Sequence, residues 1–116
     1  MPPEERASAA LRTLENRSGM DGRDFYFRLT AILRRYLEER YAFPAAEMTT
    51  EELCPRFREG GRMPETLAGA LETLFADADA VKFAGVSAAE DRMGADLDFA
   101  RRLVRETTPV APGEPV

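Results

Sequence analysis

A chain of 116 residues with 44% apolar and 32% charged residues can bury one core of ordinary size and is too apolar for wholesale disorder. Its formal charge of −5 argues against gripping nucleic acid or an anionic membrane by neutralising phosphates. With no histidine and one cysteine, Cys54, an internal disulfide, histidine-based triads and Cys/His zinc sites are excluded, and a reducing, cytoplasmic setting is expected.

Pro2-Pro3-Glu4-Glu5 opens like an acidic helix start, and Ala7, Ala10, Leu11 and Leu14 recur at helical spacing, so a first helix is predicted, ending near Ser18-Gly19. Asp21 is the expected N-cap of a second helix, with Met20 and Phe25 placed for a hydrophobic staple. Phe25, Tyr26, Leu29, Ile32, Leu33, Tyr36 and Leu37 gather on one broad face of it, which makes this helix the spine of the core. Pro44 should end it by Phe43.

Thr49 and Glu52 have capping-box spacing for a third helix, which Pro55 should kink or shorten and Gly60-Gly61 should end. Pro64 suits the first position of a fourth helix, whose stripe is Leu67, Leu71, Leu74, Ala78 and Val81 beside Phe75, with Gly85 as its stop. Ser87 and Glu90 are spaced as a capping box for a fifth helix carrying Ala89, Met93, Leu97, Ala100 and Val104. The expected fold is therefore all-α: a bundle of four to five helices with short loops, forming one domain over residues 1–107 with its core in 20–107. The stretch 108–116, rich in proline, should be a disordered tail. No run approaches the roughly 18 apolar residues of a membrane span, and the first six residues lack a signal peptide's apolar stretch.

Carboxylates are the remaining candidates for chemistry. Asp77 and Asp79 are two apart and diverge on a helix, and Glu72 with Asp79 reads as a solvated face. Gly60-Gly61 lacks the lysine and hydroxyl of a phosphate loop, and Asp77-Ala78-Asp79 lacks a calcium loop's glycine and terminal glutamate. No catalytic, cofactor-binding or metal-binding residue is assigned. Residues 49–75 loosely match a helix-turn-helix, the alternative function, yet the presumptive recognition helix has no basic residue before Lys82.

The residues left for a partner are Phe27, Arg28, Arg34 and Arg35. Phe27 projects opposite the apolar stripe; either the first helix covers it, the favoured expectation, or it anchors a partner. Arg34 and Arg35 can pair with Glu38 and Glu39 one turn on. Arg40, near the middle of the stripe, is expected to snorkel or to meet a carboxylate. Lys82, the sole lysine, sits in the last turn of its helix and can pair with Asp79 or Asp77, while Phe83 is expected to tuck beneath the fifth helix.

Phe25-Tyr26-Phe27-Arg28-Leu29, Ile32-Leu33-Arg34-Arg35-Tyr36-Leu37, Thr49-Thr50-Glu51-Glu52-Leu53 and Asp79-Ala80-Val81-Lys82-Phe83-Ala84 together resemble the cytoplasmic domain of the Bat aerotolerance-type membrane proteins. A related uncharacterised bacterial family shares the similarity, which runs from about Gly22 to Glu106. The resemblance implies a non-enzymatic protein-interaction domain whose full-length parent is anchored in the inner membrane. It also implies protein partners, a MoxR-type AAA+ ATPase or von Willebrand factor A domain proteins; on charge and motifs, no nucleic acid, no membrane contact by this segment and no cofactor are expected.

Overall fold

Five α-helices in chain order build the domain in this computed structural model, which describes residues 1–109. They are α1 (Pro3–Arg12), α2 (Gly22–Tyr41), α3 (Thr50–Leu53), α4 (Glu65–Phe83) and α5 (Glu90–Thr107), with 3₁₀ turns at Ala45–Glu47 and Cys54–Gly61. Among the described residues there is no strand. The bundle is all-α, as the periodicity predicts. Of the predicted tail, Thr108 and Pro109 are described; 110–116 lie outside the described residues.

The twenty residues of α2 are the spine, because α1, α4 and α5 all pack on it. Asp21 caps it as expected, its Oδ1 accepting the Asp24 N–H at 2.7 Å. Phe25, Tyr26, Leu29, Leu33, Tyr36 and Leu37 are fully buried, and Leu11, Leu14, Leu71, Phe75, Leu97, Ala100 and Leu103 close on them. The helix ends at Tyr41 because Ala42 turns left-handed, with φ 58°, an uncommon conformation for a residue that carries a Cβ.

Two ends differ from expectation for long-range reasons. Instead of reaching Ser18-Gly19, α1 stops at Arg12. Arg17 reaches back to donate to the carbonyl of Leu14 at 2.9 Å, while its guanidinium lies over Phe25 and its Nε donates to Glu90 at 3.0 Å. The tight turn thereby has its carbonyls satisfied without further helix. That use of Glu90 also explains the second difference: no Ser87–Glu90 box forms, and α5 starts from Ala89 with no side-chain cap.

The Thr49–Glu52 capping box does form, with both reciprocal bonds present at 2.9 and 3.2 Å. Pro55 cuts α3 to four residues and converts the chain to 3₁₀ geometry, since it can donate no N–H to a continuing helix. Pro64 falls one place earlier than expected, at the N-cap of α4. Arg58 then ties the 3₁₀ segment back to α4, its Nε 2.9 Å from Glu65 Oε1.

Among the described residues the buried side-chain polar groups are paired except Arg6 Nε and the Tyr41 hydroxyl. The Tyr26 hydroxyl donates to buried Asp96, and Arg92 bridges Asp96 to Asp77, so α2, α4 and α5 meet in one polar tie. At the other end the Tyr36 and Thr107 hydroxyls lie 2.6 Å apart. Arg40 neither snorkels nor finds a carboxylate: its Nε donates to the Thr107 carbonyl at 2.6 Å, which satisfies an orphan acceptor in the last turn of α5.

Candidate partner-docking face

One stripe of α2, Arg23, Phe27, Thr30 and Arg34, runs antiparallel to one stripe of α4, Phe83, Lys82, Asp79 and Phe75. The side chains meet in sequence order along this seam. At its inner end the Arg34 guanidinium lies 5.1 Å from the centre of the Phe75 ring. Midway, Lys82 Nζ lies 3.1 Å from Thr30 Oγ1 and 3.6 Å from Asp79 Oδ1. At the outer end the Phe27 and Phe83 rings meet edge to face, 5.8 Å apart at 89°.

This outer end is a surface. Phe83 is 71% exposed and Phe27 39%, with Val86 exposed just beyond. The chain gets there because Gly85, at φ 71°, turns the backbone off α4, after which the Val86 N–H donates back to the Ala80 carbonyl at 3.3 Å. The turn carries the chain across the start of α2 so closely that a Cβ on Gly22 would lie 2.7 Å from that of Ala88. Phe83 is thus left outside, and not beneath α5 as expected.

Nor does α1 cover Phe27. It packs on α2 and α5, burying Leu11 and Leu14 away from the α4 side. Phe27 instead stands against two cations, with the Arg23 guanidinium 5.4 Å and Lys82 Nζ 5.2 Å from its ring centre. Contacts of this kind hold a ring in place at about 0.5–2 kcal/mol each. Arg23 is itself anchored, its Nε donating to the Lys82 carbonyl at 3.0 Å at the electronegative end of α4.

The four residues expected to share a partner surface are not brought together. Phe27 belongs to the exposed face, with Arg28 next to it in the chain and paired one turn back with Asp24 at 3.3 Å. Arg35 points toward α1, lining a cavity of about 240 Å³ with Arg6, Ile32 and Glu39, and makes its predicted pair with Glu39 at 3.2 Å. Arg34 does not pair with Glu38. It turns inward and donates to the carbonyls of Ala45 at 2.9 Å and Met48 at 2.5 Å, so it holds the loop between α2 and α3.

Lys82 and Phe83 are the members of this face that spacing alone did not place there. The signal was that the one lysine of an arginine-rich chain stands three residues after Asp79. Lys82 is only 8% exposed, and burial pushes its amine below the ordinary lysine range, with Asp79 opposing and Arg34 reinforcing the shift. The unfolded chain therefore keeps this proton to higher pH than the folded one. Stability from this group accordingly rises as pH climbs from the lowered folded value to the ordinary unfolded one.

Replacing the amine in Lys82→Met should raise the unfolding free energy at neutral pH by about 1 kcal/mol, since the desolvation cost of the buried amine is removed while Asp79, about a third exposed, is left to water. It should also remove that rise. Tyr26, Tyr36, Tyr41 and Cys54, which burial shifts upward, lose stability at alkaline pH in both proteins and cancel in the difference. Urea unfolding of the two chains from about pH 7 to 10 reads both effects; a destabilised Lys82→Met would contradict them.

Cys54, half-buried with its thiol shifted upward, is the opposite of an activated nucleophile. Among the described residues no three of His, Cys, Asp and Glu gather as a metal site, and no helix is long and apolar enough to cross a membrane. The exposed positions of α4 are Glu65, Thr66, Ala70, Thr73, Ala76 and Phe83, none of them basic. Neither a family model, a curated protein nor a solved structure matches the chain.

Proposed function

We propose that this domain is a non-enzymatic protein-interaction module whose docking face is the outer end of the α2–α4 seam, centred on Phe27 and Phe83. The observation that carries the proposal is the 71% exposure of Phe83 in edge contact with a second exposed ring that two cations hold in place. Exposing two aromatic rings side by side gains a free monomer little, whereas aromatics and arginines supply much of the energy of protein interfaces.

In the setting implied by the Bat-type resemblance, the domain is the cytoplasmic part of a membrane-anchored bacterial protein. It then meets a MoxR-type AAA+ ATPase or a von Willebrand factor A protein. The experiment is to co-produce the chain with each such protein from the same organism and capture it by an affinity tag. Capture of at least one, reduced about tenfold or more by Phe83→Ser, is the expected result. Equal capture by wild type and Phe83→Ser would remove this face, and no capture at all would remove these partners. Arg35→Ala, on the α1 side, should leave capture unchanged.

A further inference from the structure

The charge distribution around Phe27 and Phe83 specifies a partner more narrowly than exposure does. Among the described residues Arg23 uses only its Nε, on the Lys82 carbonyl, its two terminal amino groups make no hydrogen bond, and no carboxylate lies within ion-pair reach of it. The same guanidinium lies over the Phe27 ring, so it is held at two points while four of its five N–H donors stay unused. A planar guanidinium held this way is arranged to receive a carboxylate through two parallel N–H···O bonds.

The neighbouring charges agree. Arg28 is matched by Asp24 and Lys82 by Asp79, and Asp21 is turned to the Asp24 N–H as the cap of α2, so Arg23 is the cation of this end with no carboxylate partner among the described residues, in a chain whose total charge is −5. An acidic surface is repelled by the molecule as a whole and attracted here, which gives register to a contact. The apolar ground beside the cation, Phe27 and Phe83, is exposed and suits one large aliphatic or aromatic side chain.

Building on the docking face above, we infer that its occupant is an acidic amphipathic helix of a protein partner. One apolar side chain of that helix seats on Phe27 and Phe83. A glutamate or aspartate three or four residues away, hence on the same helical face, reaches the terminal amino groups of Arg23. A nucleic-acid phosphate would satisfy the same guanidinium but offers no apolar side chain for the two rings, and a second copy of this chain would show itself as a dimer.

The test is a selection of displayed random 16-residue peptides, the length being about four helical turns, on the full chain. Enriched peptides are synthesised and titrated against wild type, Phe83→Ser and Arg23→Glu, each first checked for cooperative unfolding. Enrichment of an acidic residue three or four positions from a large apolar one is expected. Affinity should fall about tenfold or more in both variants, weaken with added salt, and recover in Arg23→Glu when the peptide's acid is changed to lysine.

Peptides that are neutral or basic overturn the inference, as does the absence of any enrichment. If Phe83→Ser abolishes binding while Arg23→Glu leaves it unchanged, the docking face stands and the acidic helix falls. If neither variant alters binding, both fall. Retention of the wild-type chain on a DNA duplex, or a dimer by sedimentation at micromolar concentration, would assign the face to another occupant.

Discussion

Phe75→Ala should cost about 4 kcal/mol of unfolding free energy, enough to leave a domain of this size at the edge of folding. Phe75 is fully buried at the inner end of the α2–α4 seam, and its removal empties space between three elements at once. The Phe57 ring of the 3₁₀ segment lies 6.0 Å away and the Arg34 guanidinium 5.1 Å away on another side. Neither can collapse into the space without leaving its own partners, so the cavity should persist. Urea unfolding reads the loss directly, and a cost below about 1.5 kcal/mol would mean that the site relaxes freely.

Arg34→Met should cost about 3 kcal/mol, because the substitution keeps the aliphatic stem and deletes the hydrogen bonds to Ala45, Met48 and Thr50. Two buried-side carbonyls then lose a charged donor, a larger penalty than the loss of neutral bonds. The damage should be localised. Residues 42–49 link α2 to α3 with only one short 3₁₀ turn of their own, so limited proteolysis should cut there first in the variant. Arg34→Lys should rescue only part, since an ammonium cannot reach three acceptors and stack on Phe75 together. Unchanged stability in Arg34→Met would return this residue to the candidate partner surface.

Helices α2, α4 and α5 were legible because their apolar residues repeat along long stretches, and the Asp21 and Thr49 caps because each is satisfied within four residues of itself. What escaped depends on partners far along the chain. Arg17 ends α1 early by reaching its own turn and Glu90 at once, and that second contact deprives Ser87 of its reciprocal partner. Arg34 looked like half of an Arg34–Glu38 pair, but acceptors eleven and fourteen residues away outcompete a solvated carboxylate.

The proposed docking face was half legible. Phe27 stood out because it faces away from the apolar stripe of its helix. Phe83 did not, since its direction is set by where α4 stops and by the left-handed turn at Gly85, not by any repeat. Lys82 carried a clue in being the sole lysine, yet its burial arises only when Thr30 of α2 arrives beside it.

Phe75 and Phe83 mark the two ends of one seam, the first buried in the fold and the second exposed, where the proposed function places a partner. The most direct test of that division is the thermal unfolding midpoint of Phe83→Ser set beside that of Phe75→Ala. A midpoint within about 3 °C of wild type is expected for Phe83→Ser, against a fall of about 15 °C or more for Phe75→Ala. A fall in Phe83→Ser as large as that in Phe75→Ala would show that the outer ring is part of the core and that the proposed face does not exist.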